Sequence, residues 1–458
     1  MSSEVSGDVG LRRSLSLRDL IVYGLLFIGP TAPMGVFGVL DAKSGGATAL
    51  VFVVATIAMG FTAWSYARMA SAVPKAGSVF AYASAGLGRG AGFFAGWMIA
   101  LDYLFIPSMA ALFTGVATHA LVSAIPIWLA TGVAVVIITG LNLAGVRLAA
   151  VVGLVMLVIE IVVLAVFMIA AVVVLVHDGP DRAWLSPLVG TGGFSFTAVI
   201  GAVSVAVLSF LGFDAIASFA EENTGSPRQV GRALLFCLAL AGVLFVAQTY
   251  LGDLLTRVSP ATLAAHPADQ GAAFYTMLHD AIGGWFGDIV TAMKAVGPVF
   301  SALVAQAAVS RLMYGMARDG QLPRLLSRVS PRTRIPSAAV LVSAVATMLI
   351  AIAAAIRSDG LDVLSSLVTV GALTGFLFLH ASVIGYFVVG RRASAGGRRV
   401  AYTLVPVAGA AIIIPVLILA SPLALEVAGA WLVIGVAAFL VRVTHDRRTR
   451  EPAGEAAS

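Results

Sequence analysis

The sequence has few charged residues and a single cysteine. Only 11% of its 458 residues are Asp, Glu, Lys or Arg, whereas 60% are hydrophobic, and the mean hydropathy is +1.01. So little charge cannot cover a globular surface in water, which excludes an ordinary soluble protein. Cys237 has no partner for an internal disulfide, and we interpret it as a small packed hydrophobe. Segment 1–17 is polar and charged, so we expect no cleavable signal peptide.

Motifs for enzymatic, metal or nucleotide chemistry are missing as well. The six histidines show no ligand-like spacing, which argues against a metal site. The glycine-rich segment 86–92 superficially resembles a nucleotide loop, but it follows no predicted strand, and we interpret it as the approach to a close-packed helix. No nucleophile–base constellation is apparent, so we predict a protein that is not an enzyme and that needs no cofactor.

Long apolar runs dominate what is present. Twelve of them are long enough to cross the hydrocarbon core of a bilayer. They lie at about 18–40, 47–68, 91–118, 126–145, 148–176, 194–220, 231–256, 284–312, 335–356, 361–389, 400–420 and 423–442. The sequence therefore predicts an all-α polytopic membrane protein with twelve transmembrane helices in contact with lipid.

Positive charges are distributed unevenly between the predicted loops. Most of the 28 Lys and Arg residues fall on one side of the membrane if both termini are cytoplasmic. Those on the other side are Lys43, Arg182, Arg257 and Arg357, while Lys294 lies within a span. This asymmetry predicts a bacterial-type cytoplasmic (inner) membrane protein with both termini inside. The sequence pI near 9.7 then reflects topology and anionic lipid, and we expect no nucleic-acid partner.

The first span is interrupted at segment 28–35, where two prolines and two glycines lie close together. Prolines and glycines make it hard for a membrane helix to satisfy its own backbone hydrogen bonds. A simple proline kink is the plain alternative. Span six, however, has a matching irregularity at Gly212 and Asp214. Irregular segments at corresponding places in two halves indicate a transporter binding site.

Three stretches resemble the amino acid/polyamine/organocation permeases. They are Gly212-Phe213-Asp214 with Ala220-Glu221-Glu222 and Ser226-Pro227, the segment 71–82 around Pro74 and Gly77, and Arg311 to Gly320 before Leu322-Pro323. Further segments look like the bacterial putrescine importer branch, namely Pro33-Met34, Gly96-Trp97, Leu101-Asp102-Tyr103 and Gly371 to Phe376.

This resemblance implies a LeuT-like secondary carrier with a 5+5 inverted repeat and broken helices one and six. The first repeat would be 18–176, an extracellular linker 177–193, and the second repeat 194–390. Helices eleven and twelve (391–445) would be peripheral, and 1–17 and 446–458 would be cytoplasmic tails. Substrate would bind between the unwound parts of spans one and six, with spans three, eight and ten closing the site.

The predicted substrate-binding residues lie around these breaks. They are Gly29, Thr31, Ala32, Met34, Gly35, Asp102, Tyr103, Phe210, Gly212, Phe213, Asp214 and Phe376. A charge at mid-membrane costs about 2.5–3.5 kcal/mol, so intramembrane acids are functional candidates, and we expect Asp102 and Asp214 to neutralise substrate ammonium groups. A buried structural hydrogen bond is the plain alternative for the acids, and packing is the plain alternative for the aromatic residues.

Glu160 and Lys294 are the candidates for ion coupling. The resemblance implies that the span-five position of Glu160 often carries a lysine, so a glutamate there reverses the charge. Protonation of Glu160 could couple transport to the proton gradient. A purely structural ion pair with Lys294 is the alternative.

The expected substrate follows from the same residues. Amino acid members typically have a Gly-Ser-Gly-like turn whose amides bind the substrate carboxylate, but Pro30 and Pro33 have no N–H to offer. We therefore expect a symporter, driven by a proton or sodium gradient, for a polyamine such as putrescine. A neutral or cationic amino acid permease or exchanger is the alternative. A channel or membrane sensor is disfavoured, because neither repeated polar rings nor an output domain is evident. Monomer and homodimer both stay open.

Overall fold

The computed structural model describes residues 13–144, 146–357, 360–392, 397–418 and 422–448. Within these residues, twelve helical spans are long and apolar enough to cross a membrane. The same part of the chain has no β-strand; Leu15 and Asn223 form only an isolated bridge. The predicted all-α architecture with twelve spans is confirmed. Most of the two predicted tails and residues 419–421, between the last two predicted spans, lie outside the described residues.

The helices follow the predicted spans closely. Span one is α1 (Leu17–Ile28) and α2 (Ala32–Ser44), span two α3 (Thr48–Ala72), and span three α5 (Arg89–Leu121) after a short α4 (Val79–Leu87). Spans four and five are α6 (Ile127–Ala144) and α7 (Val146–His177), followed by α8 (Ser186–Val189). Span six is α9 (Phe196–Phe210) with a 3₁₀ helix (Phe213–Glu222), and span seven is α10 (Pro227–Leu254). After α11 (Pro260–Ala265) and α12 (Ala273–Ala281), spans eight to twelve are α13 (Gly284–Arg318), α14 (Ser337–Ala355), α15 (Gly360–Val383) with a π turn (Ile384–Val389), α16 (Gly397–Ile418) and α17 (Pro422–Arg448).

The loops define two faces. We call the side with residues 73–78, 223–226 and 319–336 the arginine-rich face. On this face Arg318 donates to Glu221, and Arg89 donates to the carbonyl of Asp319. Residues 45–47, 178–195 and 255–283 form the opposite face. On that face the amide of Thr191 donates to the carbonyl of Gly45 at 2.9 Å. The segment 255–283 includes α11 and α12.

The centre of the bundle consists of the two broken spans and their neighbours. In the most apolar window of span one 78% of the residues are buried, but in that of span twelve only 17% are. The value for span eleven is 22%, so both spans lie at the edge of the bundle. Span twelve is attached to span three by reciprocal hydrogen bonds, because the indoles of Trp97 and Trp431 each donate at 2.8 Å to the other residue's carbonyl.

Helix α4 differs from the sequence-based expectation of a simple glycine-rich approach to span three. Residues 79–87 form a short buried helix that packs against α5 and α15. Gly86 lies so close to span ten that an ideal Cβ there would be 2.4 Å from the carbonyl oxygen of Ser382. Close backbone packing, rather than flexibility, accounts for glycine at this position.

Candidate transport site

The break in span one comes from its prolines. Gly29 ends α1 with φ +73°, and residues 29–31 separate the two helical halves. Pro30 has no N–H, so the carbonyl of Leu26 loses its ordinary partner four residues on. The hydroxyl of Ser301 on span eight donates to that carbonyl at 2.8 Å instead. The predicted interruption is a true break and not a kink.

Two further donors reach carbonyls at the same break. Gln248 of span seven donates to the carbonyl of Pro30 at 2.9 Å, and Lys294 of span eight donates to the carbonyl of Thr31 at 3.2 Å. Side chains from neighbouring spans therefore satisfy the backbone acceptors that the unwound segment exposes, as burial in a bilayer requires. The backbone carbonyl oxygens at the break can therefore accept hydrogen bonds or contact cations.

The break in span six falls at Leu211 and Gly212. Helix α9 ends at Phe210, Gly212 has φ +111°, and the chain continues as a buried 3₁₀ helix from Phe213. An ideal Cβ on Gly212 would lie 2.7 Å from the ring of Phe27, which belongs to the last turn of α1. Both the backbone conformation and this close approach require glycine. The two broken spans therefore meet where the sequence predicted a common site.

Replacing Gly212 with Ala should abolish most transport. The added Cβ would strain the backbone and collide with Phe27, at a cost of about 1–3 kcal/mol. We expect at least about a tenfold loss of initial uptake rate per folded molecule. Gly201→Ala, in the same span but with no atom within 4 Å of its ideal Cβ, is the matched control and should transport normally. Full activity of the Gly212 variant would contradict the proposed role of this break.

Asp214 lies at the start of the 3₁₀ helix and is completely buried. Its Oδ2 atom accepts hydrogen bonds from the hydroxyls of Tyr66, at 3.2 Å, and Tyr103. Its Oδ1 atom has no hydrogen-bond partner among the described residues. Two phenol donors stabilise a carboxylate, while the second oxygen is left available as an acceptor.

Asp102 is also completely buried, one residue before Tyr103 on span three. Neither of its carboxylate oxygens finds a hydrogen-bond donor in the described part of the chain. The next residue along span three, Tyr103, donates to Asp214, so Asp102 lies one residue from a direct contact with the other acid. Two buried carboxyl groups with three unpartnered oxygens are a strong site for cationic groups.

Aromatic rings surround Asp214. The ring of Tyr66 meets those of Phe213 and Phe376 edge to face, with centroids 5.8 Å apart in both pairs. Phe213 and Phe376 themselves lie 6.1 Å apart. Phe210, also predicted at the site, packs instead against Phe245 at 4.9 Å. Three rings beside a carboxylate form the kind of surface that binds ammonium groups through cation–π interactions.

Glu160 and Lys294 occupy a second polar region behind the break in span one. Glu160 is buried, and an ideal Cβ on Gly297 would lie 3.0 Å from its Oε1 atom, which places the acid against span eight. Its Oε2 atom has no hydrogen-bond partner among the described residues. The two side chains interact electrostatically, yet within the described chain they form no salt bridge; Lys294 contacts the carbonyl of Thr31 instead.

The other predicted residues of span one are placed less uniformly. Thr31 is 3% exposed and Ala32 is half-buried at the start of α2. Met34 is buried in a hydrophobic cluster with Phe37 and Phe167, away from the two acids. Gly35 is exposed. That these residues bind substrate remains a prediction. Gly29 and Thr31 are best placed for this role, because they lie in the break itself.

The arginine-rich face is closed beneath the site. Arg311 of span eight binds Glu222 through two hydrogen bonds of 2.5 and 3.2 Å, and both side chains are 2% exposed. The guanidinium also lies 4.7 Å from the ring centroid of Phe219. Backbone amides of Ser14 and Leu15 donate to the carbonyl of Glu222, each at 2.9 Å. Spans one, six and eight are thus joined at this face.

The opposite face is closed by Arg182, which lies in the linker between the repeats. It donates to both oxygens of Asp41, at 2.7 and 2.9 Å, and to Asp253 at the end of span seven. Burial alone would lower the pKa of Arg182, but its bonds to the two carboxylates outweigh burial and raise the pKa. The guanidinium therefore stays charged, and with both faces joined the site is occluded from water.

Sequence reasoning missed Tyr66, Gln248 and Ser301. All three are uncharged residues within long continuous helices, and no break lies beside them in the sequence. Tyr66 is only a few residues from the recognised segment 71–82, but nothing local shows that its hydroxyl reaches Asp214. These contacts depend on how the spans pack, and the apolar pattern of a helix does not specify its partners.

The twelve spans, the inverted repeat and the paired breaks define the LeuT-like class of membrane transport proteins. The sequence pattern of the family described as "Amino acid permease" matches residues 20–450. The chain therefore belongs to the amino acid permease family of the amino acid/polyamine/organocation superfamily. The resemblance inferred from the motifs is confirmed, and the chain is a multi-pass membrane protein.

Several characterised relatives align over most of the chain. The low-affinity putrescine importer PlaP of Escherichia coli K12 is 30% identical over 387 residues, which cover 83% of this chain and 82% of the relative. The branched-chain amino acid permease BcaP of Bacillus subtilis is 28% identical over 410 residues, with 83% and 82% coverage. The methylthioribose transporter of Bacillus subtilis is 26% identical over 402 residues, with 83% coverage of both chains.

Proposed function

We propose that this protein is a proton-coupled importer of a small amine-bearing solute, with a diamine such as putrescine as the substrate class that the site favours. The observation that carries the proposal is the pair of buried carboxyl groups, Asp102 and Asp214, beside the breaks of spans one and six. A diamine brings two cationic ends to two acids. The similarity to a putrescine importer supports the same substrate class.

Transport would proceed by alternating access. The links at the arginine-rich face and those around Arg182 at the opposite face cannot both persist while solute passes, so they would open in turn. An occluded arrangement with both faces closed suits a carrier and not a channel, which needs a continuous pore. The positive-inside asymmetry of the loops supports a cytoplasmic membrane location with both termini inside.

An amino acid substrate is the second candidate, and one contact favours it. The ammonium of Lys294 lies at the unwound turn of span one, where it could bind a carboxylate that Pro30 and Pro33 cannot serve through N–H groups. The similarity to a branched-chain amino acid permease supports the same reading.

Competition uptake in proteoliposomes separates these candidates. The purified protein would be tested with labelled putrescine, arginine and leucine, each competed by the other two, with an inward proton or sodium gradient. We expect saturable putrescine uptake, driven by the proton-motive force, that the amino acids compete for weakly. Uptake of an amino acid that putrescine does not inhibit would overturn the diamine assignment. A current that does not depend on the imposed proton or sodium gradient would instead indicate a channel.

Glu160 is proposed to take up the coupling proton. It is buried against span eight, and Lys294 at the break of span one feels its charge, so its protonation would be transmitted to the site. Glutamine at this position mimics the protonated acid. We expect Glu160→Gln to flatten the rise in uptake that wild type shows as external pH falls, with counterflow exchange retained. Asp288→Asn changes an exposed acid on span eight and should leave the pH profile intact. Unchanged pH dependence in the Glu160 variant would support a purely structural role.

A further inference from the structure

The two acids of the site differ sharply in their hydrogen-bond partners. Asp214 receives two phenol hydroxyls on one oxygen, whereas Asp102 receives no donor from the described residues on either oxygen. Both side chains are 0% exposed. Because the two carboxyl groups are equally buried but differ in their hydrogen-bond donors, their charged forms are stabilised to different degrees.

A buried carboxylate that lacks donors is strongly unfavourable, so such a group carries a proton or contacts a cation. Asp214 has donors that stabilise its anionic form. Asp102 has none, and the neighbouring negative charge of Asp214 disfavours a second anion beside it. Asp214 is therefore the better stabilised anion of the two, and Asp102 needs an added positive charge.

The titratable groups on the surrounding spans do not supply that charge. They are Tyr66 on span two, Tyr82 on α4, Asp214 on span six, Glu160 on span five, Lys294 and Arg311 on span eight, and His380 on span ten. Lys294 donates to the carbonyl of Thr31, and Arg311 binds Glu222. His380 is hydrogen-bonded to Thr62 and Ser65, at 3.3 and 3.0 Å. Each of these cationic or basic side chains is engaged elsewhere.

We propose that Asp102 exchanges a proton for the second ammonium group of the substrate. This inference rests on the proposed transport of amines. With a monoamine, the ammonium binds Asp214 and Asp102 keeps its proton. With a diamine, the second ammonium binds Asp102, and the displaced proton leaves to the solution from which the diamine entered. The occluded site thus holds the same total charge with either solute. Glu160 would carry its proton inward with either solute, so a diamine cycle moves these two protons in opposite directions and is driven by the membrane potential. A monoamine cycle moves one proton more in the direction of uptake.

The test compares two solutes of equal length, putrescine and 4-aminobutanol, in which a hydroxyl replaces one ammonium group. Proteoliposomes with purified full-length carrier would report labelled solute, lumenal pH and transported charge, with protein-free liposomes subtracted. We expect equal charge per solute for the two compounds and one additional lumenal proton per 4-aminobutanol. Equal proton movement with both solutes, so that transported charge differs by one, would overturn the proposal.

Variants assign the difference to a residue. In Asp102→Asn the proton difference between the solutes should vanish, and half-saturation by putrescine should weaken by about tenfold or more while 4-aminobutanol is little affected. Glu160→Gln should alter proton movement equally for both solutes and preserve the difference. If Asp102→Asn does not fold, the wild-type comparison alone still decides. Absence of uptake of either amine would overturn the proposed function itself, and this inference with it.

Discussion

Asp214→Asn should abolish amine uptake at ordinary substrate concentrations. The substitution keeps the size of the side chain but removes the charge that Tyr66 and Tyr103 stabilise and that an ammonium group would bind through the unpartnered Oδ1 atom. Truncating one partner of a buried charge pair costs about 2–5 kcal/mol, which corresponds to roughly one and a half to three and a half orders of magnitude in half-saturating concentration. Proteoliposome uptake over a wide concentration range measures the shift.

Two controls make this result specific. Asp288→Asn removes an exposed carboxylate from span eight and should leave half-saturation unchanged. Tyr103→Phe removes one of the two donors to Asp214 and should weaken binding less than the loss of the carboxylate does. A monodisperse elution profile in detergent shows that each variant is folded. If Asp214→Asn binds amines with wild-type affinity, the carboxylate at this position does not recognise substrate.

Arg311→Met should destabilise the whole protein. Glu222 would then lie 2% exposed without its guanidinium partner, and breaking a buried ion pair on one side costs about 3–5 kcal/mol. We expect a large fall in the midpoint of thermal unfolding in detergent and a low yield. Because the damage comes from the unpaired charge, the double variant Arg311→Met/Glu222→Gln should recover much of the loss.

The pair Arg318–Glu221 provides the matched comparison. Its shortest N–O distance is also 2.5 Å, but its side chains are 31% and 19% exposed. Water screens such a pair, so Arg318→Met should cost only about 1 kcal/mol or less. Equal destabilisation by the two methionine variants would show that burial is not what makes the Arg311 pair important.

Sequence reasoning located the spans and their breaks because both depend on local chemistry. Apolar runs predict membrane helices, and Pro30 and Gly212 mark the places where the helices break, while Pro33 is accommodated in the first turn of α2. Asp102 and Asp214 were predicted for a similar reason, since a carboxyl group within an apolar run is conspicuous. Both acids are completely buried, and Tyr103, which follows Asp102, donates to Asp214; that they bind substrate stays a prediction.

What the sequence could not provide is the set of partners. Tyr66 reaches Asp214 across 148 positions of the chain, and Ser301 reaches Leu26 across 275. Such contacts depend on the rotation and depth of each span, which the hydropathy of a nearly uniformly apolar helix does not specify. The placement of Met34 in a hydrophobic cluster, despite its proximity in sequence to the break, has the same cause.

The 3₁₀ helix that follows Gly212 makes this part of span six longer than an α-helix of the same ten residues. Its ten residues, Phe213–Glu222, rise by about 2.0 Å each, or about 20 Å in total, whereas an α-helix of ten residues would span about 15 Å. Conversion to α geometry would shorten the segment by about 5 Å, nearly one α-helical turn. Glu221 and Glu222 at its end would be drawn toward the membrane centre and away from Arg318 and Arg311, while Asp214 at its start stayed in place. A change of helix type alone would then unfasten the arginine-rich face, with no rigid-body rotation of the bundle.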